Sequence, residues 1–420
     1  MILEFTVGNF LSFNEKRTLS FEAKGISELK ENVIHSNKYK ILRSAVVYGA
    51  NSSGKSNLLK ALGQMRDTLL LSVKLNDSEK IEYYPFLLST ESEQSPTFFE
   101  IIFLHEDIRY RYGFEYNLTG IVNEWLYTAQ NSKKEDVLFV RTPEGIGVSN
   151  KFKEGEGKES ATNDNRLFVS LVAQLGGTIS KKILELFRTY NILSGLENKD
   201  YKGFTTRMLH SQSEGSLESI SFFKKLKLGF NDVQIAESEF NNLEIRNNIL
   251  KSKNGSVRFV GFPESLIFKT IHNKYDKKGN IVGTVLLDKD ENESQGTNKI
   301  IDLSGPIFDT LSLGKILIID ELDAKLHPLI TTHIVNLFNN PETNTNNAQL
   351  LFATHDTNLL STELFRRDQI WFTEKDDLEQ TDLYSLYDFN LPDGTKVRND
   401  SNLERNYIRG RYGAIPFITN

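Results

Sequence analysis

The spacing of apolar residues along the chain changes its period several times, and each change predicts a structural element. Residues 2–7 and 18–23 alternate between apolar and polar positions, which predicts the two strands of a hairpin. Residues 57–71 instead repeat leucines at the spacing of one helix face. Turn residues separate four further alternating segments, which predict an antiparallel meander with strands at 97–104, 108–116, 120–129 and 136–141.

The second half of the chain passes from helical spacing to an alternation of strands and helices. A polar, glycine-bearing stretch at 150–165 predicts a surface loop or linker before this change. The predicted helices are 167–175, 179–193 and 216–228, followed by shorter mixed segments to residue 261 and by strands at 265–272 and 280–288. The alternating α/β segment comprises helix 297–310, strand 315–320, helix 328–338 and strands 349–353 and 369–373.

Composition narrows the class of protein without naming a function. With 420 residues, 39% hydrophobic and 25% charged positions, the chain resembles a soluble globular protein of two or three domains. The absence of cysteine excludes disulfides, thiolate metal sites and a cysteine nucleophile. Because the N-terminus lacks a signal-peptide pattern and no apolar run is long enough for a bilayer, we expect a cytoplasmic protein.

Charge is distributed unevenly, because a net charge of −6 coexists with two basic clusters. Basic clusters can bind phosphate backbones, but a solvated helix face explains the lysine cluster as well, and we favour that interpretation for it. The clusters are Lys224, Lys225 and Lys227 in the middle of the chain, and Arg398, Arg405, Arg409 and Arg411 near its end.

The clearest chemical motif runs from Gly49 to Ser56 and reads GANSSGKS. An apolar run at 45–48 precedes it and predicts a buried parallel strand. The glycines let the backbone curl so that N–H groups converge on phosphates at a helix start. In this pattern Lys55 reaches the β- and γ-phosphates and Ser56 ligates Mg²⁺. The motif therefore predicts a nucleoside triphosphate site.

Two later strands end in residues that would complete such a site. Four apolar residues at 316–319 lead into Asp320 and Glu321. At the carboxyl end of a parallel strand, Asp320 can hold Mg²⁺ and Glu321 can polarise a water for in-line attack. The strand 349–353 delivers His355 to the same kind of edge, where α/β sheets bind ligands.

The order of these motifs resembles that of the ABC-type ATPases, specifically their SMC- and RecF-like branch. The chain is most similar to the AAA-domain ATPases of abortive-infection and related phage-defence systems. The resemblance covers both ends of the chain and leaves much of residues 150–262 unassigned. The matching stretches are NFLSF, YGANSSGKSNLLKAL, ESQGT, IIDELDAKLHP, ATHDTNLL and GRYGAIPF.

This resemblance implies an α/β fold: an ABC-type P-loop ATPase head with an antiparallel β subdomain and a mostly helical insertion. Residues 1–149 would form the N-terminal half of the head and residues 150–262 the helical insertion. Residues 263–375 would form the C-terminal half, with the signature, Walker B, D-loop and H-loop motifs. Residues 376–420 would form a tail that packs on the head.

The resemblance also implies the chemistry, which is Mg²⁺-dependent hydrolysis of ATP. Glu321 and His355 would be catalytic, with His355 sensing the γ-phosphate, and Ser56 and Asp320 would hold Mg²⁺. In ABC-type ATPases the signature loop caps ATP on a second protomer, so ATP would clamp a two-fold dimer. The implied ATP-binding residues are Asn9, Gly49, Asn51, Ser52, Gly54, Lys55, Ser56, Asn57, Ser294, Gly296 and Asp323.

The chain departs from the family pattern at two places. The glutamine of the usual Q-loop has no counterpart in the region Tyr83-Tyr84-Pro85-Phe86, which leaves metal coordination and coupling open. In the opening motif, Leu11 stands where relatives often carry arginine or lysine, which predicts slow turnover.

The functional hypothesis is a homodimer, or a higher oligomer, that acts as sensor or regulator of an anti-phage system. It would control a separately encoded effector, a nuclease, with no membrane partner and with nucleic acid left open as a ligand. The alternative is a RecF- or SMC-like DNA-repair ATPase that binds DNA ends with a steep salt dependence. A transporter subunit is disfavoured by the insertion and by the SMC-like signature.

Three other patterns have competing interpretations. The strand end at Asp288 and Asp290 resembles a TOPRIM nuclease motif, but it leads directly into the signature loop. The group His272, Tyr275 and Asp276 fits a turn before Gly279 better than a metal site. The arginine-bearing tail either orders against the core or presents its charges to a partner, and the sequence favours neither.

Overall fold

The computed structural model describes residues 1–76, 78–130, 134–197, 201–237, 266–391 and 394–416. The chain divides into two compact units. The first unit combines residues 1–195 with residues 314–420, and the second unit consists of residues 196–313.

Strands make up most of the regular structure in the described residues. In chain order they are β1 (Ile2–Gly8), β2 (Arg17–Ser20), β3 (Val33–Ser36), β4 (Tyr39–Leu42), β5 (Ser44–Gly49), β6 (Thr97–His105), β7 (Ile108–Asn117), β8 (Gly120–Ala129), β9 (Asp136–Thr142), β10 (Gly145–Val148), β11 (Tyr190–Ser194), β12 (Asp232–Glu237), β13 (Leu266–Tyr275), β14 (Ile281–Asp288), β15 (Ile316–Asp320), β16 (Gln349–Ala353), β17 (Ile370–Lys375) and β18 (Thr381–Ser385).

The helices connect these strands or follow them. In chain order they are α1 (Lys55–Leu71), α2 (Phe168–Gln174), α3 (Thr178–Arg188), α4 (Phe204–His210), α5 (Ser216–Leu226), α6 (Lys289–Asn292), α7 (Gln295–Leu313), α8 (Pro328–Asn339) and α9 (Leu403–Ile408). Among the described residues, no helix has both the length and the apolar character needed to cross a membrane.

The centre of the first unit is a six-stranded sheet in the order β11-β15-β16-β5-β17-β18. Every neighbouring pair is parallel except β17 and β18. The strand predicted at 45–48 is confirmed, because β5 pairs in parallel with β16 and β17 and is buried along its whole length. Consecutive apolar residues suit a strand that is covered on both faces. The loops after β5, β15 and β16 therefore leave the same edge of this sheet.

The other large sheet of the first unit is antiparallel, with its seven strands in the order β10-β9-β8-β7-β6-β1-β2. It confirms the predicted hairpin of β1 and β2 and the predicted meander of β6 to β9. Its aromatic residues Phe99, Phe103 and Tyr112 are buried in one apolar cluster with Leu58 and Leu62 of α1. Removal of this apolar area from water is the main force that holds the sheet to the helix.

One predicted helix is wrong at its C-terminal end. Helical spacing suggested a helix over 179–193, but α3 ends at Arg188 and the next residues form strand β11. In β11, Asn191 and Ile192 pair in parallel with Leu317 and Ile318 of β15. The spacing of apolar residues within one segment carries no information on a strand partner that is so distant in sequence. Tertiary pairing therefore overrides the local pattern here.

The compact units also differ from the predicted domain boundaries. Residues 150–195 lie in the first unit, because Phe152 and Phe168 pack against Phe139 in its core. Residues 266–313, which we expected in the head, lie in the second unit. Composition marked the polar stretch after residue 149, but buried aromatic contacts decide which unit it joins.

The second unit contains a three-stranded antiparallel sheet, β12-β13-β14, together with α4 to α7. It confirms the predicted strands 265–272 and 280–288 within the described residues, and the predicted helices near 216 and 297. A buried ion pair of 2.6 Å between Lys289 Nζ and Asp302 Oδ1 joins α6 to α7. The mixed segments predicted up to residue 261 lie mostly outside the described residues.

Candidate functional site

The loop between β5 and α1 has the backbone that its sequence predicts. Ser52 and Gly54 adopt left-handed conformations, with φ of 63° and 110°. A Cβ at Gly54 would collide with the Thr381 side chain, and one at Gly49 would lie 2.5 Å from the Thr373 carbonyl oxygen. Glycine is needed at both positions because the loop passes directly against neighbouring strands. The curled loop leads into the N-terminus of α1, as a phosphate site requires.

Lys55 points back into this loop. Its Nζ donates to the carbonyl oxygens of Gly49, at 2.8 Å, and Ala50, at 3.0 Å, and the residue is buried. Burial lowers the pKa of Lys55 to about 8, although the carboxylates of Asp320 and Glu321 act in the opposite direction. A buried ammonium whose pKa is depressed by lost hydration gains strongly from an anionic ligand.

Asp320 ends β15 with an unsatisfied carboxylate. Its Oδ1 is buried and has no hydrogen-bond partner among the described residues, whereas its backbone carbonyl accepts from Gly195 N–H at 2.6 Å. A buried carboxylate oxygen without a donor is costly, and a hard cation is one group that would satisfy it. Ser56 lies in the first turn of α1, which packs against β15, so the pair predicted to hold Mg²⁺ fits that ion chemically.

The turn after β15 is held close to the end of β16. Glu321 has a positive φ of 54°, and Leu322 N–H donates to the Ala353 carbonyl at 3.2 Å. Asp323 Oδ1 then accepts a 2.6 Å hydrogen bond from Thr354 Oγ1. These contacts place the acidic turn beside the residue that precedes His355.

His355 is exposed at the end of β16 and shares the electrostatic environment of the loop. Partial burial lowers its pKa, and the Lys55 ammonium lowers the pKa further. The carboxylates of Asp320, Glu321 and Asp323 oppose that shift. The structure therefore brings together the residues of three separate motifs around one edge of the parallel sheet.

The opening motif supports the site from the antiparallel side. Asn57 Nδ2 donates to Ser12 Oγ at 2.8 Å, and Thr381 Oγ1 contacts the same oxygen at 2.7 Å. Asn9, in contrast, is buried and braces a neighbouring segment. Its amide donates to the Ser92 carbonyl at 2.8 Å and accepts from Phe86 N–H at 2.9 Å. These contacts give Asn9 a structural task, and its role as an ATP ligand stays a prediction.

Several residues around the loop were missed by sequence reasoning. Thr373 Oγ1 lies 2.7 Å from Ser53 Oγ, and Thr381 Oγ1 donates to the Ser53 carbonyl at 2.9 Å. Gly195 lies so close to Asp320 and the carbonyl of Glu321 that a Cβ would collide with them. Single threonines and glycines outside motifs carry no sequence signal, because their importance comes from strands that are adjacent only in the fold.

The signature residues lie in the second unit. Ser294 Oγ accepts from the Thr297 N–H at 3.1 Å and caps the first turn of α7. Ser294 is exposed and Gly296 is half-buried. Their contact with ATP on a second protomer stays a prediction, as do the ligand roles of Asn51 and Ser52, which are exposed on the loop.

The competing acidic patterns have local partners. Asp288 caps α6 by accepting from Asp290 N–H at 2.9 Å, and Asp290 pairs with Lys202 at 3.3 Å. Asp276 accepts from Asn280 N–H at 2.9 Å, which forms the predicted turn. His272 Nε2 lies 2.9 Å from Glu293 Oε1. Across the described ranges, no group of three or more histidine, aspartate or glutamate side chains is placed to hold a metal.

Comparison with known proteins shows the family of the chain. A protein-family model described as "AAA domain, putative AbiEii toxin, Type IV TA system" matches residues 44–361, which is more than half of the chain. No curated protein matches the chain.

Three solved structures match most of the chain at low identity. An SMC head bound to the C-terminal winged-helix domain of ScpA is 15% identical, with a TM-score of 0.48, and the match covers 91% of this chain and 97% of that one. The SMC head domain of Thermotoga maritima is 11% identical, with a TM-score of 0.42 and coverage of 91% and 98%. The recombination mediator RecF with ATP is 16% identical, with a TM-score of 0.38 and coverage of 91% and 97%. With its P-loop, its parallel sheet and its antiparallel β subdomain, the chain belongs to the AbiEii-type family of AAA-domain ATPases, as the motifs predicted.

Proposed function

We propose that this protein is a Mg²⁺-dependent ATPase that dimerises around ATP and regulates a separately encoded effector of an anti-phage system. The observation that supports the catalytic part is the convergence of Lys55, Asp320, Glu321 and His355 at one edge of the parallel sheet. Strands β5, β16 and β15 are parallel neighbours in the sheet, so the residues at and after their carboxyl ends lie at the same edge. The hydrogen bond from Leu322 N–H to the Ala353 carbonyl holds the acidic turn beside the end of β16.

Each residue of this group has a defined task in the proposed reaction. The N–H groups of the loop and the Lys55 ammonium bind the β- and γ-phosphates. Glu321 orients the attacking water and accepts its proton, which is general-base catalysis. His355 is mostly neutral at pH 7 because its pKa is lowered, so one ring N–H can donate to the γ-phosphate. Mg²⁺, held by Ser56 and Asp320, would neutralise charge on the phosphates.

The dimer is the part of the proposal that links hydrolysis to regulation. Ser294 is exposed at the start of a 19-residue helix, where the hydroxyl and the first N–H groups suit an anion. If Ser294 and Gly296 cap ATP on a second protomer, ATP holds two chains together and hydrolysis releases them. Asp323, which is anchored by Thr354, would transmit the state of one site to the other.

Control of an effector is supported by the family and by the motifs. The family description names a toxin of a type IV toxin–antitoxin system, in which one component opposes another. The acidic and histidine patterns outside the nucleotide site have local partners in the described residues, so we assign the damaging chemistry to a second protein. A dimeric switch with two states is a suitable way to hold or release such a protein.

Glu321→Gln is the variant that tests the ATPase and the dimer. We expect it to bind ATP normally, to lose at least a hundredfold in turnover and to accumulate as a dimer with ATP and Mg²⁺. Steady-state phosphate release and light scattering after gel filtration measure the two properties. Glu363→Gln, which makes the same change at an exposed glutamate outside the motifs, is the matched control. Wild-type turnover in Glu321→Gln would disprove the assignment of the base.

The effector part needs a separate experiment. The chain is expressed in bacteria alone and together with the products of its neighbouring genes, and growth is followed before and after phage infection. We expect growth arrest only when a neighbouring nuclease is present. Growth arrest by the chain alone, abolished by Glu321→Gln, would make the chain its own toxin and overturn the regulator role.

A further inference from the structure

The C-terminal tail, defined here as residues 403–416, packs on the strand that carries the phosphate loop. The ring of Tyr407 lies 5.8 Å from the ring of Tyr48 in β5 and 5.5 Å from that of Phe372 in β17. Tyr412 also packs against Phe372, at 6.0 Å, and both tail tyrosines are buried. The described tail is therefore ordered against the core, and this packing is compatible with arginines that face a partner.

Polar contacts fasten the same tail to two other parts of the nucleotide site. Thr357, which follows His355 by two residues, donates to Glu404 Oε1 at 3.2 Å. Tyr407 Oη donates to the Ala414 carbonyl at 3.0 Å, and Tyr384 Oη donates to the Tyr412 carbonyl at 2.8 Å. A shift in the histidine loop is thus passed directly to the tail helix α9.

The end of the tail reaches the phosphate loop itself. An open pocket of about 320 Å³ is lined by residues 414–416, the loop residues 50–53 and the end of β17 at Glu374 and Lys375. Tyr384 Oη lies 3.1 Å from Glu374 Oε2, so the wall of this pocket is tied to the same tyrosine that holds the tail. Any rearrangement of the loop around phosphates changes the surface against which the tail rests.

The outer side of the tail carries unpaired positive charge. Arg405, Arg409 and Arg411 are exposed, and none of them forms an ion pair within the described residues. The sole carboxylate side chain between residues 403 and 416 is Glu404, which is engaged by Thr357. Arg398, in contrast, is paired with Asp400 at 2.7 Å.

This surface suits phosphates better than it suits a protein. A protein interface needs an apolar centre, and Ile408 is the single large apolar side chain exposed on the described tail, with 59% of its surface accessible. Guanidinium groups bind phosphate oxygens through paired hydrogen bonds, and binding of a polyanion needs charge rather than apolar area. Arg405 and Arg409 stand one helical turn apart, so they face the same side.

We propose that the tail is a nucleic-acid-binding element, in which Arg405, Arg409 and Arg411 contact the phosphate backbone and the packing of Tyr407 makes this contact respond to the nucleotide. The dependence on ATP rests on the proposed function, whereas the arginine contact does not. Binding of nucleic acid to the tail would then change the affinity of the ATPase site for ATP. Binding of ATP would change the affinity of the tail for nucleic acid by the same factor, because coupling between two sites is reciprocal.

The arginine contact is tested on the full chain with a fluorescein-labelled 30-base-pair duplex, measured by anisotropy over a series of salt concentrations. In the triple variant Arg405→Gln, Arg409→Gln and Arg411→Gln, we expect the slope of log K against log salt to fall by about 3 and affinity to fall at least tenfold. The control is the triple variant Lys224→Gln, Lys225→Gln and Lys227→Gln, which removes the same charge from the other basic cluster. Equal losses in both variants, or an unchanged slope in the tail variant, would overturn the contact.

Two further measurements test whether the tail variant has lost ATP binding and whether the tail prefers an acidic protein to nucleic acid. Binding of a fluorescent ATP analogue should be unchanged in the tail variant, because none of these arginines is among the hydrogen-bond partners of Lys55 or the residues that line the pocket at the phosphate loop. Polyglutamate at matched charge concentration should displace the duplex poorly. Displacement as good as that by unlabelled duplex would show an acidic protein to be the better ligand and would contradict the proposal.

The coupling is tested with Tyr407→Phe, which removes the bond to Ala414 and keeps the ring. We expect the change in duplex affinity caused by a non-hydrolysable ATP analogue with Mg²⁺ to shrink severalfold, while affinity for the analogue itself stays constant. An undiminished change would overturn the coupling. The analogue could leave duplex affinity unchanged in both proteins while the salt dependence still requires the arginines. That result would contradict the ATP dependence and support the arginine contact.

Discussion

Two acidic side chains of the first unit differ in whether their buried oxygens accept hydrogen bonds. Glu124 in the antiparallel sheet accepts hydrogen bonds from Phe168 N–H at 2.6 Å and Val169 N–H at 3.0 Å, so it caps α2. Tyr112 Oη donates to it as well, at 3.1 Å. Asp320 in the parallel sheet has a buried Oδ1 without any partner. Glu124 therefore completes its hydrogen bonds within the fold, whereas the Asp320 oxygen has no donor among the described residues.

The difference explains where function resides in the first unit, although both sheets contribute to the same apolar core. Unsatisfied polar groups cost stability, and natural proteins retain them chiefly where a ligand satisfies them. Removing such a group should therefore reduce binding and leave the fold intact. Removing a group that already has its hydrogen bonds should lower stability and leave binding unchanged.

Lys55→Ala is expected to have the largest effect on the ligand side of this comparison. Loss of the buried ammonium should weaken ATP binding about a thousandfold, or roughly 4 kcal/mol, because the phosphates lose their closest cation. The free energy of unfolding should change little, because the cost of burying the Lys55 ammonium offsets its two hydrogen bonds to the loop carbonyls. Isothermal titration and chemical denaturation measure the two quantities, with the exposed Lys60→Ala on the same helix as control. Comparable affinity in both variants would refute the assignment.

Glu124 tests the structural side of the comparison through pH. Burial raises the pKa of Glu124 from 4.5 to about 7, against the effect of its backbone donors. The folded protein therefore holds this proton more tightly than the unfolded chain, and stability from this group is lost as pH rises from about 4.5 to 7. The shift corresponds to about 3 kcal/mol.

The matching variant is Glu124→Gln, which removes the titration. In the wild type, the free energy of unfolding measured with denaturant should decrease between about pH 5 and pH 8. Glu124→Gln should make this dependence on pH weaker without changing affinity for ATP. Glu156→Gln, at an exposed glutamate, is expected to follow the wild-type profile. An identical slope in Glu124→Gln and wild type would contradict the prediction.

The pKa of Lys55 makes ATP binding itself depend on pH. Above about pH 8 the free protein loses the Lys55 proton, whereas a bound triphosphate favours the charged form. Affinity should therefore be constant below about pH 8 and should fall by up to about tenfold per unit above it. Titration with an ATP analogue from about pH 7 to pH 9.5 measures this. Lys55→Arg keeps its charge throughout and should abolish the decline; a decline of equal size in that variant would point to another group.

Thr381→Val is expected to have the smallest effect, because Thr381 does not bind the ligand itself and only supports the phosphate loop. It loses the hydrogen bond to the Ser53 carbonyl and the contact with Ser12 Oγ, while the shape of the side chain is kept. We expect a roughly twofold to tenfold loss of ATP affinity, in line with about 1 kcal/mol for such a bond. Thr18→Val, at an exposed threonine of β2, controls for the substitution itself. Full affinity in Thr381→Val would mean that the loop keeps its shape without this bond.

Local sequence determined the elements that can be identified from residues within one segment. The phosphate loop of Gly49 to Ser56 was predictable because its glycines, lysine and serine each have one chemical task. The alternating strands of the meander and the leucines of α1 were predictable because one buried face selects one period. The family and the parallel strand at 45–48 followed from the same information.

Tertiary structure decided what depends on partners distant in the chain. Residues 190–193 read as the end of a helix but pair with β15, since the strand beside them supplies the hydrogen bonds. Gly195, Thr373 and Thr381 show no motif, and they matter because other strands bring them against Asp320 and the phosphate loop. The sequence likewise did not predict whether the Asp320 carboxylate accepts hydrogen bonds, because its donors come from residues that only the fold brings near it.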